Sequence, residues 1–376
     1  MPRNICYISG TRADFGLMRK TLQAIHHTPE LKLSLVVTGM HLEQSYGHTV
    51  DDIIEANLPI TDKVAVDLST TTGAMMARNI GKMLTAFVDS LVKNVPDVVL
   101  LLGDRGEMLA GALAAIHLNI PVVHLHGGER SGTVDELIRH AISKLSHFHF
   151  TATQAARDRL IGLGERADRV MVTGAPGLDD TMACTCMPRK ILMRQAKLDD
   201  KKPVALVIYH PVLQTESTDN GIQYIMESLL SRHIQVMALE PNADAGRHRI
   251  HLVLERYAAM ESVCVVAHLK RADFISWMAA VDIMIGNSSA GIIEAASLGT
   301  PVVNVGSRQN LRERNDNVID VPVEKTAIDA AIEQALLHGP YDKRNRYGDG
   351  KASFRIVSLL KSIPLDSTVL EKVNAY

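Results

Sequence analysis

The sequence has little of what several common protein classes require. Only 4% of its 376 residues are aromatic and one, Trp277, is a tryptophan, so few side chains could stack on the bases of single-stranded nucleic acid. Its 40 lysines and arginines nearly balance 42 aspartates and glutamates, which excludes a strong overall basic field. We therefore expect no nucleic-acid partner, and any bound anion must be held by local groups.

Long apolar runs are also missing. A run such as residues 98–102 has the length of a strand and is far shorter than the roughly 20 residues that span a bilayer. The chain begins Met-Pro-Arg-Asn-Ile-Cys-Tyr-Ile, a strand pattern where a secretory signal would show a charged and then an apolar segment. We expect a cytoplasmic protein without a membrane span.

The four cysteines do not form a disulfide framework or a zinc motif. Cys6 and Cys264 lie in strand-like runs, while Cys184 and Cys186 lack the second pair that a zinc site needs. We therefore expect no metal bound by the cysteines. Separately, we expect no bound metal elsewhere and no cofactor.

Short β-branched runs alternate with longer stretches of helical period, which predicts α/β architecture with parallel sheets. A polar stretch near residues 180–200 separates two such series, so we predict two Rossmann-like domains, residues 1–180 and 190–355. The predicted strands are residues 4–9, 32–38, 62–67, 97–102, 121–126, 147–151, 169–172, 204–209, 234–238, 262–266, 283–286 and 301–305.

Ligands of doubly wound sheets bind outside the carboxyl ends of the strands. After the first predicted strand, Gly10 permits close backbone approach, Thr11 can cap the helix and Arg12 can bind phosphate or carboxylate. The turn matches neither the dinucleotide fingerprint nor the P-loop. A capped helix with a surface arginine is the alternative interpretation.

Two further turns of the first domain carry acids and imidazoles. Asp104 follows a strand and Gly103, and it is either an active-site carboxylate or a helix cap. His126 ends the next strand, and the helix beyond it contains Asp135 and Arg139, whose spacing of four also permits a plain ion pair. A zinc site formed by His124, His126 and one of His147 or His149 is a further alternative, although no His-Glu-x-x-His spacing supports it.

In the second domain, His210 ends a strand and is either a phosphate contact or a buried histidine. The segment 286–294 begins with glycine, contains the hydroxyls of Ser288 and Ser289, and opens a helix that includes Glu294. Its amides and hydroxyls could receive a diphosphate, and Glu294 could accept from ribose hydroxyls. A simple capping motif is the alternative.

Six motifs occur in order along most of the chain: Gly10-Thr11-Arg12-Ala13-Asp14, Gly103-Asp104-Arg105, His126-Gly127-Gly128-Glu129 with Asp135, Ile138-Arg139-His140, Asn287-Ser288-Ser289-Ala290-Gly291 and Gly306-Ser307-Arg308-Gln309. Together they resemble the hydrolysing UDP-N-acetylglucosamine 2-epimerases. The resemblance implies a glycosyltransferase-B-type fold with UDP held between the domains, a C-terminal segment, residues 356–376, that returns to the first domain, and a homodimer or dimer of dimers.

The resemblance also implies the chemistry. UDP leaves the anomeric carbon as the C2 proton is lost, and water adds to the resulting 2-acetamidoglucal to give N-acetylmannosamine for sialic-type sugar biosynthesis. It implies Asp104, His126 and Asp135 as catalytic residues. The implied substrate and UDP contacts are Arg12, Ala13, Arg105, Glu129, Arg139, His210, Asn242, Ser288, Ser289, Gly291, Glu294 and Arg308.

One position departs from the best-known members of that family, which carry glutamate where this chain has His126. Imidazole still titrates near neutrality. Some relatives with His-Gly-Gly-Glu here act on UDP-N,N'-diacetylbacillosamine of the legionaminic acid pathway, so either UDP-sugar could be the substrate. A glycosyltransferase of the same fold, a non-hydrolysing epimerase and an inactive UDP-sugar sensor are the other functional alternatives.

Overall fold

The computed structural model describes residues 1–70, 72–131, 134–212, 220–241 and 246–375. Its strands are β1 (Arg3–Ser9), β2 (Leu31–Thr38), β3 (Ile60–Val64), β4 (Val98–Leu102), β5 (Val122–Leu125), β6 (Phe148–Thr151), β7 (Val170–Val172), β8 (Val204–Ile208), β9 (Gln235–Leu239), β10 (Val263–Val266), β11 (Ile283–Gly286), β12 (Val302–Val305) and β13 (Val318–Val321).

Its helices are α1 (Arg12–His26), α2 (Val50–Glu55), α3 (Gly73–Asn94), α4 (Gly106–His117), α5 (Val134–Leu145), α6 (Gln154–Gly162), α7 (Gly177–Ala183), α8 (Arg189–Ala196), α9 (Gly221–Ser231), α10 (Arg247–Tyr257), α11 (Arg271–Ala280), α12 (Ser289–Ile293), α13 (Lys325–His338) and α14 (Ala352–Ser362). None of the helices in the described part of the chain combines the length and apolarity that a bilayer crossing requires.

The chain forms two compact units. Unit 1 contains Met1–Glu129, Val134–Asp180 and the chain from Tyr347 onward, and unit 2 is built mainly from Thr181–Arg346. Unit 1 has a seven-stranded parallel sheet in the order β3-β2-β1-β4-β5-β6-β7, and unit 2 a six-stranded parallel sheet in the order β10-β9-β8-β11-β12-β13. The predicted α/β class with two parallel sheets is confirmed.

In each sheet the strand order reverses at one place, between β1 and β4 in unit 1 and between β8 and β11 in unit 2. Such a reversal separates the crossover helices at the carboxyl end of the sheet and opens a crevice there. The turns after these four strands carry four of the selected segments, and the segments at His126 and Arg308 follow the neighbouring strands β5 and β12. The topology therefore gathers them at one edge of each sheet.

Both faces of the unit 1 sheet are covered, which explains its continuous apolar strands. Alternation along β1 sends Tyr7 to one core and Ile8 to the other. Helix α14 packs against α1 and contributes Ile356 and Leu360 to the first core. The Arg3 guanidinium donates to the carbonyls of Leu360 and Ile363, both at 2.8 Å, which fixes the end of α14 against the start of β1.

Two strands differ from the sequence predictions. Strand β3 occupies Ile60–Val64 rather than residues 62–67, and its pairing with β2 shifts register between Leu35 and Val36, where Thr61 is the extra residue of β3. Strand β13 was not predicted. This strand has only four residues, none of them fully buried, and one of them is the charged Asp320. Its pattern therefore resembled a loop.

We predict that Leu360→Ala destabilises unit 1 by about 2–5 kcal/mol, since Leu360 is fully buried and its truncation leaves a cavity. Phe354 lies on the same helix but is 77% exposed, so Phe354→Ala is the matched control and should change stability by at most about 0.5 kcal/mol. Urea unfolding followed by circular dichroism measures both. Equal losses in the two variants would contradict the packing assigned to α14.

Candidate functional site

The first turn of unit 1 is organised by a buried carboxylate. Thr11 caps α1 and, with Asp14, forms a capping box. Oδ2 of Asp14 accepts from the backbone amides of Gly10 at 3.0 Å and Thr11 at 2.7 Å, while Oδ1 accepts from the Ser9 hydroxyl. This network fixes the segment that ends in the half-buried Arg12 and the exposed Ala13.

The second turn places Asp104 beyond the end of β4. Gly103 adopts φ +81°, a left-handed conformation that suits glycine. Helix α4 has Arg105 as its N-cap residue, so Asp104 is not the cap. The Asp104 side chain is 22% exposed and accepts from the Arg139 guanidinium. Arg105 lies 3.3 Å from the Glu107 carboxylate.

The third turn follows β5. His126 is a non-glycine residue with φ +62°, and its Nδ1 bonds to Oε1 of Glu129. Arg139 of α5 is 1% exposed and donates both to Asp104 and, at 3.0 Å, to the backbone carbonyl of Glu129. The second and third turns are thus joined by one guanidinium. Asp135 lies one helical turn before Arg139 and is half-buried.

The buried His124 of β5 forms a hydrogen bond with the backbone of Gly103, next to these turns. Its Nε2 lies 2.7 Å from the Gly103 carbonyl, and its Nδ1 lies 3.0 Å from the Ser143 hydroxyl. Because a carbonyl only accepts, Nε2 carries the proton and Nδ1 accepts from Ser143. Burial lowers the pKa of His124 to about 3, which keeps the ring neutral.

The other histidines of the zinc alternative bond elsewhere. Nδ1 of His147 accepts from the Val122 amide, and Nε2 of His149 lies 3.0 Å from the Glu165 carboxylate. Within the described residues, no group of three or more His, Cys, Asp or Glu side chains is arranged to hold a metal ion.

In unit 2, Asn287 ties two strand ends together. Its side chain accepts from the His210 amide at 2.7 Å and donates to the His210 carbonyl at 2.8 Å, so the turns after β8 and β11 are locked in register. Gly286 has φ +143°, and a Cβ there would lie 1.9 Å from the Ile208 carbonyl oxygen. Only glycine fits this approach of two backbones.

The hydroxyl residues follow directly. Ser288 caps α12 by accepting from the Ala290 amide, and Ser288 and Ser289 are both half-buried. Arg308 Nη1 donates to the Asn287 carbonyl at 3.2 Å, which brings the turn after β12 beside the turn after β11. A Cβ at Gly291 would lie 2.9 Å from Val302, so this glycine permits close packing of α12 on β12.

Glu294 is buried in a polar cluster. Its Oε1 accepts from the Thr181 hydroxyl at 3.1 Å and from the Arg271 guanidinium. The structure thus groups His210, Ser288, Ser289 and Arg308 around the strand ends and places Glu294 beside Arg271. Asn242 lies outside the described residues.

Sequence reasoning missed several supporting residues. Arg271 and Thr181 are 23 and 113 positions from Glu294, and no local pattern links them. Ser143 is one of several polar residues on α5. Asn287, by contrast, stands inside the recognised motif, and its place after a strand-ending glycine was a usable signal.

Comparison with known proteins gives a consistent result. A family model described as UDP-N-acetylglucosamine 2-epimerase matches residues 23–361. A Legionella pneumophila protein named UDP-N,N'-diacetylbacillosamine 2-epimerase (hydrolyzing) is 51% identical over 377 residues, covering 100% of both chains. A Campylobacter jejuni GDP/UDP-N,N'-diacetylbacillosamine 2-epimerase (hydrolyzing) is 33% identical, with 88% of this chain and 87% of the relative covered.

Among solved structures, UDP-GlcNAc 2-epimerase from Neisseria meningitidis bound to UDP-GlcNAc superposes with a TM-score of 0.78 at 20% identity, covering 95% of this chain and 99% of that one. This likeness shows the fold. The predicted pairing of Rossmann-like units of glycosyltransferase-B type is confirmed.

The neutral state of His124 predicts a pH effect on stability. The unfolded chain protonates this ring near pH 6.5 and the folded chain only near 3, so the free energy of unfolding falls as the pH drops from 6.5 towards 3. At pH 5 the contribution of His124 to this loss is about 2 kcal/mol, to which the buried rings of His41, His147 and His149, whose pKa values burial also lowers, add their own. Urea unfolding at pH 7.5 and 5 measures it, and His124→Gln should reduce the loss. The exposed-loop variant His48→Gln is the control, and an unchanged loss in His124→Gln would contradict the assignment.

Proposed function

Because this chain belongs to the UDP-N-acetylglucosamine 2-epimerase family, we propose that it is a hydrolysing 2-epimerase whose substrate is UDP-N,N'-diacetylbacillosamine. The observation that carries the substrate assignment is the 51% identity, over the full length of both chains, to a relative with that name. The His126-Gly127-Gly128-Glu129 segment is in keeping with it. UDP-N-acetylglucosamine, the substrate named in the family description, is the second candidate.

The proposed reaction consumes one water and needs no redox partner. The bond between the anomeric carbon and the diphosphate oxygen breaks as the C2 proton leaves, which gives a glycal with a double bond between C1 and C2. Water then adds its oxygen to C1, and a proton returns to C2 from the opposite face. The products are UDP and a free sugar inverted at C2.

Unit 1 supplies the groups for proton transfer in this proposal. Asp104, His126 and Asp135 are the titratable side chains that we assign to C2 and its neighbours, since general acid–base catalysis requires groups within hydrogen-bond reach of the reacting atoms. Arg139 is buried and bonded to Asp104, so we assign it to holding that carboxylate rather than to contacting UDP.

Unit 2 supplies the groups for the leaving diphosphate. Ser288, Ser289, His210 and Arg308 surround the ends of β8, β11 and β12, and their donors would stabilise charge as it develops on the departing oxygen. Arg12 and Arg105 of unit 1 are further phosphate contacts in this proposal. Glu294 is assigned to the ribose, with its carboxylate oriented by Arg271 and Thr181.

Turnover in deuterated water tests the proposal. The protein alone, given UDP-N,N'-diacetylbacillosamine, should release UDP and a free sugar with one deuterium at C2. We expect a lower kcat/KM for UDP-N-acetylglucosamine and for GDP-N,N'-diacetylbacillosamine, because each lacks contacts that a discriminating pocket makes with its own substrate.

The alternatives give different results. A product that retains UDP indicates a non-hydrolysing epimerase, and unchanged substrate in the absence of an acceptor indicates a transferase or a sensor. Faster turnover of UDP-N-acetylglucosamine would contradict the substrate assignment and leave the reaction type intact.

We predict that Asp104→Asn and Asp135→Asn each lower kcat by about 10²–10⁴-fold, the usual contribution of a general acid or base. Binding of UDP, measured by calorimetry, should change by less than about threefold because the assigned diphosphate contacts remain. Asp51→Asn, at an exposed pair with His48, is the control. Loss of UDP binding without an effect on kcat would contradict the catalytic assignment.

A further inference from the structure

His126 and Glu129 form a buried pair within the turn after β5. The side chain of His126 is 11% exposed and that of Glu129 4%, and the bond joins Nδ1 of the ring to Oε1 of the carboxylate. The other histidine–carboxylate pairs of unit 1 include His48 with Asp51, where the side chains are 34% and 63% exposed. Burial makes the first pair far less screened by water than the second.

The turn is built to bring these two side chains together. His126 has a left-handed backbone, which is uncommon for a residue with a side chain, and its amide donates to the Phe150 carbonyl at 3.2 Å. At Gly128, with φ +76°, a Cβ would lie 2.2 Å from the Ala156 carbonyl oxygen. The chain therefore reverses direction over three residues, so that residue 129 faces residue 126.

Contacts from two arginines, the buried Arg139 and the half-buried Arg159, hold the reversal in place. Arg159 donates to the Gly128 carbonyl, and Arg139 donates to the Glu129 carbonyl. Both of these contacts engage backbone oxygens, while Oε1 of Glu129 bonds to the imidazole of His126. A non-glycine residue in a left-handed conformation persists when its surroundings compensate the cost, and such residues concentrate at functional sites.

We propose that Glu129 is a positioning residue that acts through His126, fixing the ring proton on Nδ1 so that Nε2 is the nitrogen that exchanges protons with the sugar. This inference rests on the proposed function. A carboxylate accepts and does not donate, so the shared proton belongs to Nδ1. Nε2 can then take the substrate proton, and the positive charge that forms on the ring lies beside the Glu129 carboxylate. When Nε2 returns a proton, the ring is neutral again and Nδ1 has kept its own throughout.

Glu129 then differs in role from the substrate and UDP contacts, among which the family resemblance placed it. A substrate contact contributes to binding, whereas an orienting carboxylate contributes to the rate by fixing the tautomer and stabilising the imidazolium. In a catalytic triad, removing such a carboxylate's charge lowers the rate by about 10⁴-fold although the geometry is retained. A glutamate placed at position 126 would have no tautomer to set, so the effect of Glu129 depends on the presence of the imidazole.

A double-mutant cycle tests this dependence. We expect Glu129→Gln to lower kcat by about 10²–10⁴-fold with KM within about twofold. In the His126→Glu background, Glu129→Gln should not lower kcat further. Asp51→Asn, at the exposed pair with His48, is the matched control and should leave kcat and KM unchanged.

A spectroscopic readout on the free protein accompanies the kinetics. Nitrogen-15 NMR of the histidine rings, with the His126 signals identified by their loss in His126→Asn, should show the proton on Nδ1 in the wild type. Glu129→Leu, which has no acceptor, should shift the population towards Nε2–H. This measurement needs no turnover, so it decides the matter if His126→Glu proves inactive.

Three results would overturn the inference. A higher KM with unchanged kcat in Glu129→Gln would make Glu129 a substrate contact. An equal fall of kcat on Glu129→Gln in the wild-type and His126→Glu backgrounds would show that Glu129 only stabilises the turn. A proton on Nε2 of wild-type His126 would show that Glu129 does not fix the ring proton on Nδ1. Failure of the wild type to act on either UDP-sugar would instead refute the proposed function, while the NMR result would still stand for the pair itself.

Discussion

The guanidinium of Arg139 joins the turn after β4 to the turn after β5. It is almost fully buried, and it donates to the Asp104 carboxylate and to the Glu129 backbone carbonyl. The Arg139 side chain is 1% exposed, so loss of Asp104 would leave a buried positive charge without this compensating carboxylate. Arg139 is therefore a central constraint on the geometry of the unit 1 site, because one side chain holds both Asp104 and the loop that carries His126.

In unit 2, a neutral side chain likewise joins two turns that follow neighbouring strands. Asn287 bonds both ways to the backbone at His210, and its own carbonyl accepts from Arg308 and Gln309. In unit 2 this bridge lies where the strand order reverses, between β8 and β11. In unit 1, Arg139 bridges the turns after β4 and β5, one strand away from the reversal between β1 and β4. The residues assigned to chemistry then stand on short turns whose backbone is fixed by hydrogen bonds, which limits their motion relative to one another.

Much of this could be predicted from the sequence, because βα alternation and strand-ending glycines are local signals. The positions of eleven strands and the turns at Gly10, Gly103 and Gly286 follow from them. The contact between Arg139 and Asp104 could not be predicted from the sequence. Helical spacing indicated Asp135 as a partner of Arg139, whereas the distance to Asp104 depends on how β4 and β5 pair. The cluster of Arg271 with Glu294 was likewise hidden, because long-range contacts leave no periodic pattern, and Asn242 lies outside the described residues.

The most direct measurement of the central claim is a crystal structure of the Asp104→Asn variant with its UDP-sugar bound. The account predicts the diphosphate against Ser288 and Ser289, and C2 of the sugar within about 4 Å of residue 104 and of the His126 ring, close to the separation of a reacting pair. A UDP-sugar bound away from the ends of β8 and β11, or a C2 atom remote from both side chains of unit 1, would contradict it.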